Sequence, residues 1–212
     1  MKRLFAALFS ACLTLLFALP ALAVQVGDPG TDDSPGITAR YMLMDANGRA
    51  VSNEDFPGHF QLITFGYTFC PDICPTTLAE MSIIMEKLGE RSKRLQPIFI
   101  TVDPERDTAA VLRTYTEFFH PQIIGLGGSP ALIKRAADNF KVRYEKAREP
   151  GSPPDQYAVD HSAGMYLLGP DGRYIRKFAY ATPPLEIAER IGEIMATTDT
   201  RTGNHRSRFS RE

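Results

Sequence analysis

The sequence lacks an excess of charge of either sign. Its 24 lysine and arginine residues nearly balance 25 aspartate and glutamate residues, which leaves a formal net charge of -1 over 212 residues. Proteins that bind polyanions carry a strongly positive surface, so we expect no nucleic-acid partner. The chain also has no internal repeat. Its 43% hydrophobic and 23% charged residues are ordinary for one globular domain with a substantial core.

Cysteine is also scarce, with three residues in the whole chain. Cys12 lies in an N-terminal segment with two basic residues, an apolar run and a small-residue cleavage signal. This pattern predicts a signal peptide over residues 1–23 and export to an oxidising compartment, the bacterial periplasm. After cleavage only Cys70 and Cys74 remain. Without cleavage, the apolar residues 4–22 would tether the protein to the inner membrane, facing the periplasm.

Hydrophobic periodicity predicts strands that alternate with helices. We predict a flexible lead-in over residues 24–35, one domain over residues 36–196 and a disordered polar tail over residues 197–212. The alternation favours an α/β fold with a mixed central sheet, helices on both faces and an added N-terminal β-hairpin. The predicted strands cover residues 39–44, 49–52, 59–66, 98–102, 123–126, 142–144, 162–168 and 174–178, and the predicted helices start near residues 75, 108, 130 and 183.

The remaining two cysteines lie where a buried strand gives way to a helix. Pro75 directly follows Cys74, and proline suits the first turn of a helix, so Cys74 is predicted at or next to a helix N-terminus. The partial positive charge at that end stabilises a thiolate. Thiolates bind soft metals and attack disulfides. The alternative for Cys70 and Cys74 is a structural disulfide, although so short a loop would stabilise the fold little.

His161 is the candidate for a third ligand. It follows a proline-rich loop over residues 148–157 and precedes a predicted strand. In a thioredoxin-like fold, the loop that leads into this strand faces the cysteine motif. Two thiolates can hold Cu(I), and an added imidazole would let the site accept Cu(II) as well. The alternative is a histidine whose ring is satisfied by backbone hydrogen bonds.

Acidic residues near these positions admit two interpretations each. Asp160 could accept the other ring N–H of His161, or could be a turn residue. Asp72, between the cysteines, could tune the charge of the site or could simply be solvated. Residues 103–107 could form a carboxylate cluster for a hard cation, but a tight turn followed by a helix cap is favoured.

Three segments together resemble the Sco/SenC family. They are residues 66–75 (GYTFCPDICP), 102–108 (VDPERDT) and 160–162 (DHS), followed by the turn 169–172 (GPDG), in the family's order and spacing. The resemblance implies a thioredoxin-like fold and a copper-binding role in assembling the copper centre of cytochrome c oxidase. It also implies that Cys70, Cys74 and His161 are the copper ligands. The partners would be the copper-centre subunit of the oxidase and a copper donor protein.

Three functions are then to be compared. The first is a copper metallochaperone, which binds and transfers copper and is not an enzyme. The second is a thiol–disulfide oxidoreductase that keeps the cysteines of a copper protein reduced, with Cys70 and Cys74 as its redox-active pair. Such enzymes usually have two residues between their cysteines, whereas this chain has three. A peroxidase is disfavoured. Peroxiredoxins need a small hydroxyl residue three positions before the cysteine and a proline further upstream, and this chain has Tyr67 and Ile63 there.

Overall fold

The structure is a computed structural model that describes residues 36–209, with side chains described up to residue 199. The predicted signal segment and lead-in (residues 1–35), like residues 210–212, lie outside the described residues. The described strands are β1 (Met42–Met44), β2 (Ala50–Ser52), β3 (Phe60–Gly66), β4 (Leu95–Thr101), β5 (Ile124–Leu126), β6 (Tyr144–Ala147), β7 (Ala158–His161), β8 (Met165–Leu168) and β9 (Tyr174–Phe178). The helices are α1 (Ile73–Leu88), α2 (Ala109–Phe119), α3 (Pro130–Phe140) and α4 (Pro184–Phe209).

The central sheet has five strands in the order β5-β4-β3-β8-β9. Strand β3 pairs in parallel with β4, and β4 with β5, whereas β8 and β9 are antiparallel to their neighbours. The predicted mixed sheet is therefore confirmed. Every residue of β3 is buried, because the strand lies at the centre of the sheet and both of its faces are covered.

Helices cover both faces of this sheet, as predicted. Phe65 of β3 packs against Phe140 of α3, with ring centroids 5.3 Å apart. The next residue, Gly66, points to the opposite face and lies against α1, since side chains alternate along a strand. Helix α1 packs between α2 and α4 on that face. The hairpin of β1 and β2 joins α3 on the first face, where β1 contacts that helix.

The starts of three helices agree with the sequence signals. Thr108 and Ser129 cap α2 and α3 by accepting a hydrogen bond from a backbone N–H in the first turn. Helix α1 begins at Ile73, so Pro75 falls in its first turn, where the missing N–H costs nothing. The cysteine motif therefore spans a strand-to-helix connection, as expected.

The region around His161 differs from the prediction. We expected one strand over residues 162–168, but the structure has two, β7 and β8, separated at Gly164. Gly164 has φ 120°, and a Cβ there would lie 2.6 Å from the carbonyl oxygen of Phe178. Only glycine tolerates this geometry, so the chain changes direction here. Strand β7 instead pairs antiparallel with β6 in a separate two-stranded sheet.

Helix α4 continues past residue 196, where we placed the end of the domain and the start of a disordered tail. Residues 197–199 are therefore helical and do not belong to a disordered tail. The Thr197 hydroxyl donates to the carbonyl of Ile194 at 2.9 Å. Asp199 accepts two hydrogen bonds from the guanidinium of Arg94, at 2.7 and 2.8 Å. Arg94 thus holds a polar turn of α4 in place, although the sequence of that turn shows no apolar periodicity. Within the described part of the chain, no helix is both long and apolar enough to span a membrane.

We predict that Phe140→Ala lowers the free energy of unfolding by about 3–5 kcal/mol, because it opens a cavity in the core. Phe140 is 0% exposed and packs against the rings of Phe65 and Tyr166. The matched control is Phe118→Ala, since Phe118 is 83% exposed and should change stability by roughly 0.5 kcal/mol or less. Urea unfolding of the reduced protein measures both, and similar losses for the two variants would contradict the assigned core.

Candidate metal centre

The cysteine motif occupies the connection between β3 and α1. A turn closes when the N–H of Cys70 donates to the carbonyl of Tyr67 at 3.3 Å. Asp72 then precedes the helix, and its carbonyl accepts the hydroxyl of Thr76 at 2.9 Å. Cys74 is the second residue of α1. One thiol therefore lies on the loop and the other in the first helical turn.

Both of these cysteines are free thiols, and they lie in different environments. Cys70 is partly exposed, while Cys74 is 2% exposed and packs against Gly66 of β3. Each thiol influences the pKa of the other, as expected for neighbouring sulfur atoms. The structure therefore holds the pair close together with one sulfur open to the surroundings.

The surroundings shift the pKa values of the two thiols in opposite directions. Partial burial raises the pKa of Cys70, but hydrogen bonds from the N–H groups of Asp72, Cys74 and Ile73 outweigh it, so the net pKa is lowered. Burial is the main cause that raises the pKa of Cys74, and a charge on Cys70 raises it further. Cys70 is thus the thiol that ionises more readily, as expected where N–H groups converge at a helix start.

His161 lies at the end of β7 with its imidazole turned toward Cys74. Its Nε2 is 3.8 Å from the Sγ of Cys74, and its Nδ1 is 3.2 Å from the carbonyl oxygen of Val159. Because a carbonyl can only accept a hydrogen bond, this contact places the ring proton on Nδ1. The lone pair of Nε2 then faces the thiol, as a metal ligand requires. The ring also packs edge-on against Tyr67, with centroids 6.0 Å apart.

The three predicted ligands adjoin in pairs. Cys74 contacts His161, and Cys70 is near enough to Cys74 for the two thiols to affect each other's pKa. Nevertheless, no three His, Cys, Asp or Glu side chains among the residues described form a closed metal-binding group. Two sulfurs and one imidazole nitrogen are the donor set that soft transition metals prefer.

The carboxylates of Asp160 and Asp72 do not contact the predicted ligands in the way that the sequence allowed. Asp160 pairs with Glu145 across the β6–β7 ladder and is exposed, whereas the Nδ1 of His161 contacts Val159. The orienting partner of the histidine is thus a backbone carbonyl and not the Asp160 carboxylate. Asp72 is exposed and makes no side-chain hydrogen bond that caps α1. Its N–H group, rather than its carboxylate, acts on Cys70.

Gly66 is a residue that sequence reasoning missed as part of the site. A Cβ at this position would lie 2.6 Å from the Sγ of Cys74 and 2.8 Å from the ring of Phe99. No side chain fits at such distances, so the glycine makes room for the buried thiol. The signal available in the sequence was a glycine at the end of an otherwise apolar strand, which often marks a close approach.

Two buried aspartates, Asp103 and Asp107, lie in the segment 103–107 for which a turn was favoured. The carboxylate of Asp107 accepts hydrogen bonds from the backbone N–H and hydroxyl of Thr68 and from the hydroxyl of Thr101. Burial is the largest effect on Asp107 and raises its pKa despite these hydrogen bonds. The interaction ties the loop before Cys70 to the end of β4.

The interpretation of residues 103–107 as a turn is confirmed. The carbonyl of Asp103 accepts the N–H groups of Arg106 and Asp107, at 3.2 and 3.0 Å, and Thr108 caps α2. Side chains from elsewhere already engage both carboxylates. The segment is therefore a structural support for the site and not a site for a hard cation.

We predict that Gly66→Ala displaces the Cys74 thiol and costs about 1–3 kcal/mol of stability through overpacking. The matched control is Gly192→Ala, where the added Cβ would meet the flexible end of Arg91 at 2.8 Å, an atom that can move aside. Thermal unfolding and the rate of Cys74 alkylation measure the two effects. Equal stability and alkylation rates in Gly66→Ala and Gly192→Ala would show that Cys74 does not depend on position 66.

Comparisons with known proteins agree with this geometry. The SCO1/SenC family model matches residues 29–196. The chain is 40% identical over 158 residues to the SCO2-like protein of Rickettsia felis, which covers 74% of this chain and 77% of that protein. It also resembles Arabidopsis thaliana ScoI, solved with copper bound, with 33% identity and a TM-score of 0.70 over 76% of this chain and 99% of that one.

A further structural relative is BsSco, described as having a disulfide switch and as a member of the Sco family of cytochrome c oxidase assembly proteins. It is 25% identical, with a TM-score of 0.58 over 77% of this chain and 96% of that one. These structural matches confirm the predicted thioredoxin-like fold. The family match, the relative from Rickettsia and the paired cysteines and histidine lead to one conclusion: this chain belongs to the SCO1/SenC family.

Proposed function

We propose that the protein is a copper metallochaperone that binds copper through Cys70, Cys74 and His161. The observation that carries this proposal is the approach of the His161 Nε2 to within 3.8 Å of the Cys74 Sγ, with the ring proton held on the far side by Val159. This geometry points an imidazole lone pair at a sulfur atom, as a shared metal ion would need. Copper-bound ScoI supports the choice of metal.

Copper would be the cargo of this protein, so the site must release it as well as bind it. Cys70 is the more exposed ligand, and an incoming thiolate from a partner could replace it first. Cys74 is buried and would keep its bond to copper until the partner had gained a ligand. This order passes copper by stepwise ligand exchange, in which the ion is never free and no covalent bond of the protein is broken.

The assembly of cytochrome c oxidase is the process we assign to this transfer, because the related BsSco belongs to a family of oxidase assembly proteins. The recipient would be the copper-centre subunit of the oxidase, and a separate donor protein would supply the ion. We place the protein in the bacterial periplasm, either cleaved after residue 23 or tethered through residues 4–22. In this role the protein is not an enzyme.

A thiol–disulfide oxidoreductase is the second candidate. The observation that favours it is a pair of free thiols four residues apart at the start of α1, with Cys70 partly exposed. The Cys70 thiolate would attack a partner disulfide and form a mixed disulfide, and Cys74 would then displace the reduced partner. The two electrons gained by the partner would come from oxidation of the Cys70–Cys74 pair. This reaction makes no use of the orientation of His161.

Copper titration of the reduced mature protein distinguishes the two functions. We predict that the wild type binds one copper and that Cu(II) produces an intense sulfur-to-copper charge-transfer band. His161→Ala should abolish this band and weaken Cu(I) binding without eliminating it, because two thiolates still hold Cu(I). The matched control is His59→Ala, since His59 is exposed and contacts a backbone carbonyl, and it should behave as the wild type does.

The opposite result would favour the reductase. If the wild type showed neither the band nor tight Cu(I) binding, yet reduced protein disulfides rapidly, the metallochaperone proposal would be wrong. In that case His161→Ala should leave the reductase rate unchanged, whereas Cys70→Ser should abolish it.

A further inference from the structure

We propose that Arg106, with Asp103 and Tyr157, is a positioning clamp that holds His161 in place for copper. The inference rests on the proposed function, and it concerns a residue that touches neither the thiols nor the imidazole. The clamp joins the turn after β4 to the residue that immediately precedes β7, and β7 carries His161.

The anchor of the clamp is the carboxylate of Asp103. This residue is 0% exposed, and a buried carboxylate must find compensating partners. Its Oδ2 accepts a hydrogen bond from the Nε of Arg106. Its Oδ1 accepts one from the hydroxyl of Tyr157 at 2.7 Å. Two segments of the chain are therefore drawn to one buried charge.

Arg106 holds Tyr157 at a second point. Its Nη1 donates to the carbonyl oxygen of Tyr157 at 3.0 Å, and its guanidinium lies 3.7 Å from the centroid of the tyrosine ring. Tyr157 is thus held at its hydroxyl, its ring and its carbonyl. Because Ala158 follows directly, the start of β7 is fixed in position and direction.

The same guanidinium reaches the cysteine side of the site. It lies 4.9 Å from the ring of Phe69 and 5.6 Å from that of Tyr67. Phe69 precedes Cys70 in the chain, and the ring of Tyr67 contacts that of His161. Arg106 is thus the side chain around which the cysteine loop and the histidine hairpin meet. A planar guanidinium suits this position, since it forks to two acceptors and stacks on aromatic rings.

The histidine hairpin needs such a link because β6 and β7 form their own sheet. Among the described residues, neither strand is hydrogen-bonded to the central sheet as a neighbour. Other contacts of the hairpin are the buried side chain of Val159, the ring contact of His161 with Tyr67 and the exposed ion pair of Lys146 with Glu105. Exposed ion pairs contribute little. Beside these contacts, the clamp supplies a polar connection between the hairpin and the domain that is anchored on a buried carboxylate.

The consequence is a difference between the two copper states. The thiols belong to the loop and to α1, which the clamp touches only through ring contacts with Phe69 and Tyr67. Cu(I) held by two thiolates should therefore tolerate its loss. Cu(II) binding needs the imidazole as well. Weakening the clamp should therefore impair the Cu(II) site while Cu(I) binding is kept.

The test uses Tyr157→Phe and Arg106→Lys in the full-length mature chain. Tyr157→Phe removes only the hydroxyl bonded to Asp103. Arg106→Lys keeps the positive charge beside Asp103 but loses the fork, which avoids leaving a buried carboxylate unpaired. The matched control is Glu105→Gln, at the neighbouring position, where the carboxylate is 63% exposed and pairs with Lys146.

We expect both clamp variants to bind Cu(II) about 10- to 100-fold more weakly, as for residues that orient a ligand through another group. Their charge-transfer band should shift or lose intensity, while Cu(I) affinity stays at the wild-type value. Glu105→Gln should match the wild type in Cu(II) affinity, in the charge-transfer band and in Cu(I) affinity. Equal losses for Cu(I) and Cu(II), or an unchanged Cu(II) spectrum in both clamp variants, would overturn the proposal.

A copper-free measurement separates this proposal from the proposed function. Amide hydrogen exchange should become faster over residues 158–161 in Tyr157→Phe and stay unchanged in β3 and α1. If the wild type bound no copper, the proposed function would fail, and exchange would still decide whether the clamp holds the hairpin. Unchanged exchange in β7 would reject the clamp whatever the copper result.

Discussion

The site depends first on the absence of a side chain at position 66. The Sγ of Cys74 lies in the space that a Cβ on Gly66 would need. Strand β3 is buried along its whole length, so α1 cannot move away from it without opening the core. The first turn of α1 is thereby fixed against the sheet, and the sulfur of Cys74 with it. Cys70 takes its position from the same turn, because the N–H groups of that turn surround its thiol.

Two buried carboxylates fix the other segments that carry the site. Asp107 binds Thr68 in the loop that leads to the cysteines, and Asp103 binds Tyr157 in the segment that leads to His161. A carboxylate removed from water needs donors around it, so each one fixes the segment that supplies its donors. The turn after β4 therefore connects both halves of the candidate site, although it contributes none of the proposed ligands.

The sequence allowed the cysteine half of this arrangement to be predicted, because its signals are local. An apolar run, two cysteines and Pro75 indicate a strand, a loop and a helix start without reference to distant residues. The histidine half depends on contacts that no local pattern reveals. Strand β7 ends at His161 because the chain bends at Gly164, whose backbone lies close to the carbonyl oxygen of Phe178. The imidazole is oriented by the backbone of Val159, whereas the sequence left open whether the Asp160 carboxylate takes this role.

The same limit explains the C-terminal helix. Thr197 to Asp199 show no apolar periodicity, so a pattern-based prediction ends the helix too early. The partner that stabilises this turn, Arg94, lies 105 residues earlier in the chain. Only the packing of α4 beside α1 brings the two together. Ion pairs between distant elements are invisible to periodicity, even where their geometry is bidentate.

The proposed ligands are unevenly spaced along the chain, so different parts of the fold position the thiols and the imidazole. Cys70 and Cys74 are close in sequence and lie on either side of the start of α1. Their relative position therefore depends on local structure. His161 is 87 residues from Cys74 and arrives on a hairpin held by side chains rather than by the central sheet. A metal state that needs only the thiols therefore depends on local structure, whereas a state that needs the imidazole depends on the whole domain. Under the proposed copper role, a displacement of the hairpin alone would therefore weaken the Cu(II) site and leave the thiol pair in place.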